Sequence, residues 1–212
     1  MSLNYTLIPV TPYQQNCTLL SCDETGNAVL IDPGGEVDRL LDEVHRHGLT
    51  LQGLWVTHGH LDHVGGVAEL GKRLNLPIIG PHKGDAFWID ALPEQCKLFG
   101  FPPCDRFEPS QWLEDGDVVT VGEQNLGVIH CPGHTPGHVV FFSASARLAI
   151  VGDVLFKGSI GRTDFPRGNH QMLIDSIQKK LWPLGRDIVF IPGHGPLSTF
   201  GHEMQHNPYV SI

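Results

Sequence analysis

The segment Thr57-His58-Gly59-His60-Leu61-Asp62-His63-Val64-Gly65-Gly66 sets four metal-binding side chains within six residues, directly after the apolar stretch Leu51-Gln52-Gly53-Leu54-Trp55-Val56. An extended chain turns alternate side chains to the same side, so His58 and His60 converge on one ion. Asp62 and His63 are neighbours at the turn into a helix; they point apart and reach a second ion. The spacing predicts two metals rather than one.

Three more donors share this setting. His134 lies in Cys131-Pro132-Gly133-His134-Thr135-Pro136-Gly137-His138 after Leu126-Gly127-Val128-Ile129. Asp153 ends Leu148-Ala149-Ile150-Val151-Gly152-Asp153, and His194 lies in Ile191-Pro192-Gly193-His194-Gly195-Pro196 after Ile188-Val189-Phe190. A metal site needs three or four ligands. Each donor sits where a strand breaks at glycine or proline, so strands aim them at one rim while glycines let backbone approach the ions. The remaining histidines are read as surface or packing residues, with His138 as a support for the His134 loop. Cys131, three residues before His134, is read as packing.

Taken in order, His58-x-His60-x-Asp62-His63, His134, Asp153 and His194 resemble the metallo-β-lactamase superfamily and, within it, the glyoxalase II group. The chain length and the ending His206-Asn207-Pro208-Tyr209 are similar to the short, single-domain type II glyoxalases of bacteria. The resemblance implies that His58, His60 and His134 hold one divalent ion, that Asp62, His63 and His194 hold another, and that Asp153 bridges them. Histidine and carboxylate donors accept zinc, iron or manganese, with zinc expected first. The fold it implies is α+β, an αββα sandwich of two mixed β-sheets flanked by helices. The activity it implies is hydrolysis of S-D-lactoylglutathione to D-lactate and glutathione by a hydroxide bridging two metals.

At 212 residues, 41% of them hydrophobic, the chain is read as one domain spanning 1–212 around one substantial core. No apolar run approaches the ~20 residues that span a bilayer. The start, Met1-Ser2-Leu3-Asn4-Tyr5-Thr6-Leu7-Ile8, lacks the marks of an export signal, so a cytoplasmic protein with no membrane partner is expected. Five cysteines without a Cys-x-x-Cys pair argue against a disulfide scaffold or zinc ribbon. A net charge of −9 argues against nonspecific nucleic-acid binding, leaving a small thioester, glutathione-linked by the resemblance, as the expected partner.

Period and turn signals predict strands over Tyr5–Val10, Cys17–Ser21, Ala28–Ile31, Leu51–Val56 and from Pro77. A second set covers Val118–Val121, Leu126–Ile129, Val139–Phe142, Leu148–Val151 and Ile188–Ile191. Helices are predicted over 37–47, 62–74 and 172–181, with helices and loops over 81–109.

Two ions roughly 3.5 to 4 Å apart lower the pKa of a shared water to about 7 and polarise a carbonyl. Asp62 has two readings, a pure ligand or a ligand whose free oxygen takes the water's proton. No general acid stands in the motifs, which favours a thiolate leaving group, since a thiol of pKa ~8.5 departs without one. Arg162, in the loop Phe156-Lys157-Gly158-Ser159-Ile160-Gly161-Arg162-Thr163-Asp164-Phe165, matches the position where glyoxalase II enzymes carry a basic residue that contacts glutathione. It either meets the substrate or pairs with Asp164 to hold the loop. Lys157 and Arg167 are weaker candidates for the pocket. The chain departs from the usual glyoxalase II in having only Leu197 to Ile212 where those enzymes carry a glutathione-binding helical region. Two alternatives stay open: a persulfide dioxygenase with one iron on His58, His134 and Asp153, and a lactone or other ester hydrolase with an acyl pocket from Phe87, Trp88, Phe99 and Phe101.

Overall fold

Strand alternation sorts the apolar residues into three layers in the computed structural model, which describes residues 2–212. The first sheet takes β1 (Leu3–Val10), β2 (Gln15–Cys22), β3 (Asn27–Ile31), β4 (Thr50–Trp55) and β5 (Ile78–Ile79), in that order. β1 to β3 pair antiparallel, and β3 to β5 pair parallel. The second sheet takes β6 (Val118–Val121), β7 (Gln124–His130), β8 (Val139–Ser143) and β9 (Leu148–Gly152). After a small hairpin, β10 (Leu155–Phe156) and β11 (Ser159–Ile160), the chain returns with β12 (Val189–Pro192) and β13 (Ser198–Thr199), giving the order 13-12-9-8-7-6. β12 pairs with β9 in parallel; the other pairs are antiparallel.

Along β3, Val29 and Ile31 face the second sheet while Ala28 and Leu30 face outward, and β9 repeats this with Leu148 and Ile150 inward, Ala149 and Val151 outward. The inner layer also holds Leu20, Trp55, Val128 and Phe141. The outer face of the first sheet is covered by α1 (Val37–Arg46), α2 (Leu61–Val64), α3 (Val67–Leu74), α4 (Ala86–Asp90) and α5 (Leu92–Phe99). The outer face of the second is covered by α6 (His170–Asp175), its wider continuation over Ser176–Leu181, and α7 (Phe200–His206). The architecture is thus αββα, with two mixed sheets flanked by helices. Among the described residues, no helix is long and apolar enough to cross a membrane.

Three local expectations change. The helix expected over 62–74 is two helices, because Gly65 and Gly66 pack against the backbone of Pro33-Gly34. A Cβ on Gly65 would lie 2.6 Å from the Gly34 carbonyl oxygen, and the Gly66 N–H donates to the Pro33 carbonyl at 2.9 Å. The segment after Asp153 forms the β10–β11 hairpin rather than a plain loop. The last residues form β13 and α7, which extend and cover the second sheet.

Trp55 and Phe141 meet across the inner layer at 5.2 Å between ring centroids, both essentially fully buried. Replacing Phe141 by alanine leaves a cavity between the sheets and is expected to cost about 3–5 kcal/mol in denaturant unfolding. A loss under ~1 kcal/mol would show that the sheets do not depend on this contact.

Candidate metal centre

Parallel strands end at the same rim, and β3 and β4 do so with Asp32 and the run from Thr57. Asp32, buried, accepts from the Thr57 N–H (2.7 Å) and the Thr57 hydroxyl (2.6 Å) and takes the Nδ1–H of His63 at 2.9 Å. On the second sheet, β9 ends at Asp153, its parallel neighbour β12 at Gly193-His194, and the β7–β8 connection carries His134. The rims are tied directly. The Val139 N–H donates to the Thr57 carbonyl at 2.8 Å, and the Asn16 N–H to the Gly193 carbonyl at 2.7 Å.

The seven expected donors come together. His58 Nε2 and His134 Nε2 lie 3.2 and 2.9 Å from His60 Nδ1. Asp62 Oδ2 lies 3.1 Å from His194 Nε2 and 3.8 Å from His63 Nε2. Asp153 spans both groups, with Oδ1 at 3.3 Å from His63 Nε2 and Oδ2 at 3.6 Å from His134 Nε2 and 3.7 Å from His194 Nε2. Ligands ~2.1 Å from one tetrahedral ion stand about 3.4 Å apart, so these separations suit coordination. Asp62 and His63, expected to diverge, instead converge at the first turn of α2; the donors of Asp62, His63 and His194 all lie within 4.8 Å of one another.

Two further observations fit a cation. His63 Nε2 and Asp153 Oδ1 are buried and make no hydrogen bond, although they face each other. Moreover, the outward nitrogen of four histidines is engaged. His58 Nδ1 is 3.0 Å from the Thr57 hydroxyl, which itself donates to Asp32, while His63 Nδ1 meets Asp32. His134 Nδ1 donates to the Arg162 carbonyl (2.7 Å) and His194 Nδ1 to that of Tyr13 (3.1 Å). Each acceptor fixes the proton on the outer nitrogen and leaves a lone pair aimed inward.

The electrostatics agree. Burial opposes charge on His63, yet Asp153 and Asp62 outweigh it and hold its pKa well above that of free imidazole. Burial likewise opposes, and the hydrogen bond to Asp62 and the charge of Asp153 overcome it, at His194, which is also raised. Against their own burial, His63 with its neighbours holds Asp153 well below the usual carboxylate range, and His63 and His194 lower Asp62. His58, His60 and His134 are lowered, first by burial. The half of the cluster around Asp62 and Asp153 thus carries a field that favours cations. Gly193 makes room, since a Cβ there would lie 2.1 Å from Asp153 Oδ1.

Two supports were not anticipated, and a third acts elsewhere than expected. Asp85, fully buried, accepts from the Gly59 N–H (2.9 Å), the Thr135 hydroxyl (2.7 Å) and the Gly137 N–H (2.6 Å), stapling the two ligand loops; burial pushes its pKa up to about 6. It lies in the irregular stretch after β5 and carries no local signal. Asp32 carried one, an apolar strand breaking at Asp32-Pro33-Gly34-Gly35. His138, expected to support His134, instead accepts the Asp153 N–H through Nε2 (3.0 Å) and stacks on His58 at 4.5 Å. Cys131 is buried, as its packing role requires.

A cavity of about 880 Å³ opens on His60, Asp62, His134, Asp153 and His194. Its walls include Trp88, Phe99, Phe156 and Phe165, and both Lys157 and Arg162 line it. Of the two readings of Arg162, the structure shows the pairing with Asp164, at 2.7 and 2.6 Å through Nε and one terminal nitrogen, with the guanidinium 4.4 Å over Phe165. Arg167 stacks over Phe87 at 4.1 Å and is not in the cavity wall, nor is Phe101, which packs on the first-sheet core.

Comparison with known proteins agrees with this geometry. The family model of the metallo-β-lactamase superfamily matches residues 10–194. The chain is 46% identical, over 99% of both chains, to hydroxyacylglutathione hydrolase GloC of Haemophilus influenzae. Among solved structures it is similar to the BLEG-1 B3 metallo-β-lactamase, with TM-score 0.90 and 35% identity over 99% of this chain and 100% of that one. It is also similar to TTHA1623 in a di-iron-bound form, with TM-score 0.88 and 35% identity over 96% and 99% of the two chains.

Removing the acceptor of His63 in Asp32→Ala is expected to weaken metal binding about 10- to 100-fold in a chelator competition, and unchanged affinity would show that Asp32 does not orient His63. For Asp85 the sign follows from its raised value. Between its ordinary 3.8 and about 6 the folded chain holds the proton more tightly than the unfolded one, so this contribution falls as pH rises through that window. The stability of wild type minus that of Asp85→Asn, both stripped of metal, should therefore decline by about 2 kcal/mol from pH 4 to 6. A flat difference would mean that the three donors, not burial, govern Asp85.

Proposed function

The chain belongs to the metallo-β-lactamase superfamily of metal-dependent hydrolases, and we propose that it hydrolyses hydroxyacylglutathione thioesters, with S-D-lactoylglutathione giving D-lactate and glutathione. The observation that carries this reading is the convergence of five histidines and two aspartates at the cavity, with His60, His134, His194, Asp62 and Asp153 lining it and His58 and His63 buried behind them. The likeness to the Haemophilus influenzae hydrolase over nearly all of both chains supports the substrate class.

In this proposal His58, His60 and His134 hold one ion, Asp62, His63 and His194 a second, and Asp153 lies between the two sets. Bound divalent ions, zinc, iron or manganese, supply an ionised water near neutral pH and polarise the carbonyl. The di-iron form of the neighbour supports a pair of ions. Asp62 has its pKa lowered and stays ionised, which suits it to orienting the attacking water rather than acting as an acid. Trp88 and Phe165 pack edge-on against His60, at 4.6 and 4.7 Å between centroids, and keep bulk water from that side. The sequence motifs offer no general acid for the leaving group, and a thiolate needs none.

The mono-iron alternative employs His58, His134 and Asp153 and gives no task to Asp62, His63 and His194. The tight clustering of those three favours hydrolysis. The likeness to a B3 metallo-β-lactamase favours a second reading, β-lactam opening, but a departing amide nitrogen requires a proton where a thiolate does not, and the sequence motifs offer no general acid.

Purified protein carrying two metals per chain is expected to consume S-D-lactoylglutathione, followed by loss of thioester absorbance. A chelator should abolish turnover and lower the melting temperature, since a ligand of the folded state stabilises it by mass action. Asp153→Ala should lose metal and at least ~100-fold in turnover, more than loss of an outer hydrogen-bond partner costs. Full metal with unchanged turnover in that variant would sink the dinuclear assignment. One iron per chain, with oxygen uptake on glutathione persulfide and no thioester cleavage, would overturn the hydrolase reading.

A further inference from the structure

The ending His206-Asn207-Pro208-Tyr209 and the buried Glu203 take no part in the metal centre, yet both converge on one element near it. Glu203 and Asn207 lie one turn apart, on α7 and at its C-terminal cap, and each is 0% exposed. The Glu203 carboxylate accepts from the Gly158 N–H (2.8 Å), from Asn207 Nδ2 (2.9 Å) and from the Ser198 hydroxyl. Asn207 Nδ2 also donates to the Ser159 carbonyl at 3.0 Å and reaches that of Phe156 at 3.5 Å. A buried carboxylate without a cation beside it is costly unless its oxygens are satisfied. One of the satisfying groups, the Gly158 N–H, comes from the β10–β11 hairpin, and Asn207 adds its bonds to the hairpin carbonyls, so α7 and its cap fix that hairpin from behind.

What the clamp holds is the two-residue turn Lys157-Gly158, with Gly158 at φ +73°. Phe156, Lys157, Ser159 and Ile160 all line the cavity. The two cations in that lining differ. Arg162 has its charge answered by Asp164 through two hydrogen bonds. Lys157 is exposed and has no ion pair or hydrogen bond among the described residues. In a chain of net charge −9, it is a local positive point at the mouth of the cavity. In a hydroxyacyl thioester the acyl half has its carboxyl tied up in the scissile bond, whereas a peptidic thiol keeps free carboxylates, so the thiol half is the one with a partner for this charge.

We propose that Lys157 recognises a carboxylate on the thiol half of the substrate, and that Glu203 and Asn207 are positioning residues that hold its hairpin over the metal centre. The proposal rests on the thioester reading above. A lysine is a compact charge with three donors, suited to a carboxylate that arrives on a flexible chain.

The test is calorimetric binding of glutathione to the metal-loaded protein at low and high salt, with metal content measured on each variant. Lys157→Gln should weaken binding about two- to fivefold and remove most of its salt dependence, as expected for one partly exposed charge pair. Asn207→Ala and Glu203→Ala should weaken it similarly with metal content unchanged. Glu203→Gln should retain it, because the amide oxygen can still accept from Gly158 and Asn207 while the Ser198 hydroxyl turns to accept from the amide nitrogen. Binding unaffected by Lys157→Gln, or no glutathione binding by the wild type, overturns the proposal. So does Glu203→Gln failing as badly as Glu203→Ala at full metal content. Lys157-dependent glutathione binding without turnover of any thioester would instead support the proposal and remove the thioesterase reading.

Discussion

Imidazoles can bind a shared cation only if each presents a lone pair inward, and an acceptor behind a ring secures this by taking the other nitrogen's proton, as it does for four of the five candidate histidines, His60 Nε2 being buried without a partner. This constraint reaches far into the fold. The acceptors are Asp32 at the end of β3, the Thr57 hydroxyl, the Arg162 carbonyl and the Tyr13 carbonyl. They come from four separate stretches, two of them loops on opposite sides of the cavity. A centre built this way is no stronger than the register between the sheets that deliver its parts, which is why the inner apolar layer and the backbone bonds from Val139 to Thr57 and from Asn16 to Gly193 matter to chemistry as well as to stability.

The mixed character of the sheets follows from the same demand. An antiparallel neighbour starts where a strand ends and so brings a different kind of residue to the rim, whereas a parallel neighbour ends beside it. β3 with β4, and β9 with β12, are the parallel pairs that bring Asp32 beside the His58 run and Asp153 beside His194. The antiparallel β7–β8 pair supplies its donors through the connection instead, which carries His134 and returns with His138. His138 then accepts the N–H of Asp153 and lies flat on His58, linking donors of both proposed metal positions without coordinating.

The seven candidate donors were legible because each is announced locally, by an apolar strand breaking at glycine or proline next to a side chain able to bind metals. The long strands and the amphipathic helix α1 were legible for the same reason, since each carries several repeats of its period. Asp85 was not, because its partners are Gly59, Thr135 and Gly137, distant in sequence and met only after both loops have folded. The β10–β11 hairpin and β13 have two residues per strand, too few to show alternation. The break between α2 and α3 was written as Gly65-Gly66, but what makes glycine necessary there is the backbone of Pro33-Gly34, which no local pattern reveals. Convergence of Asp62 with His63 was misjudged because strand alternation does not apply once the chain has entered a helical turn.

The division of labour between centre and walls explains where the reaction and its selectivity reside. The donors are mostly buried and braced from both sheets, so their geometry tolerates little change. The walls are different in kind: Leu98 is 78% exposed, Phe99 and Tyr13 are 52% exposed, and another part of the wall is a six-residue hairpin held by hydrogen bonds with α7 and its cap. Substitutions in such walls disturb few buried contacts and cost little stability. A fixed centre with variable walls is a general means of changing substrate while keeping mechanism. It follows that the residues which distinguish one acyl or thiol group from another should be sought on α5, the hairpin and the Arg162 loop, not among the histidines.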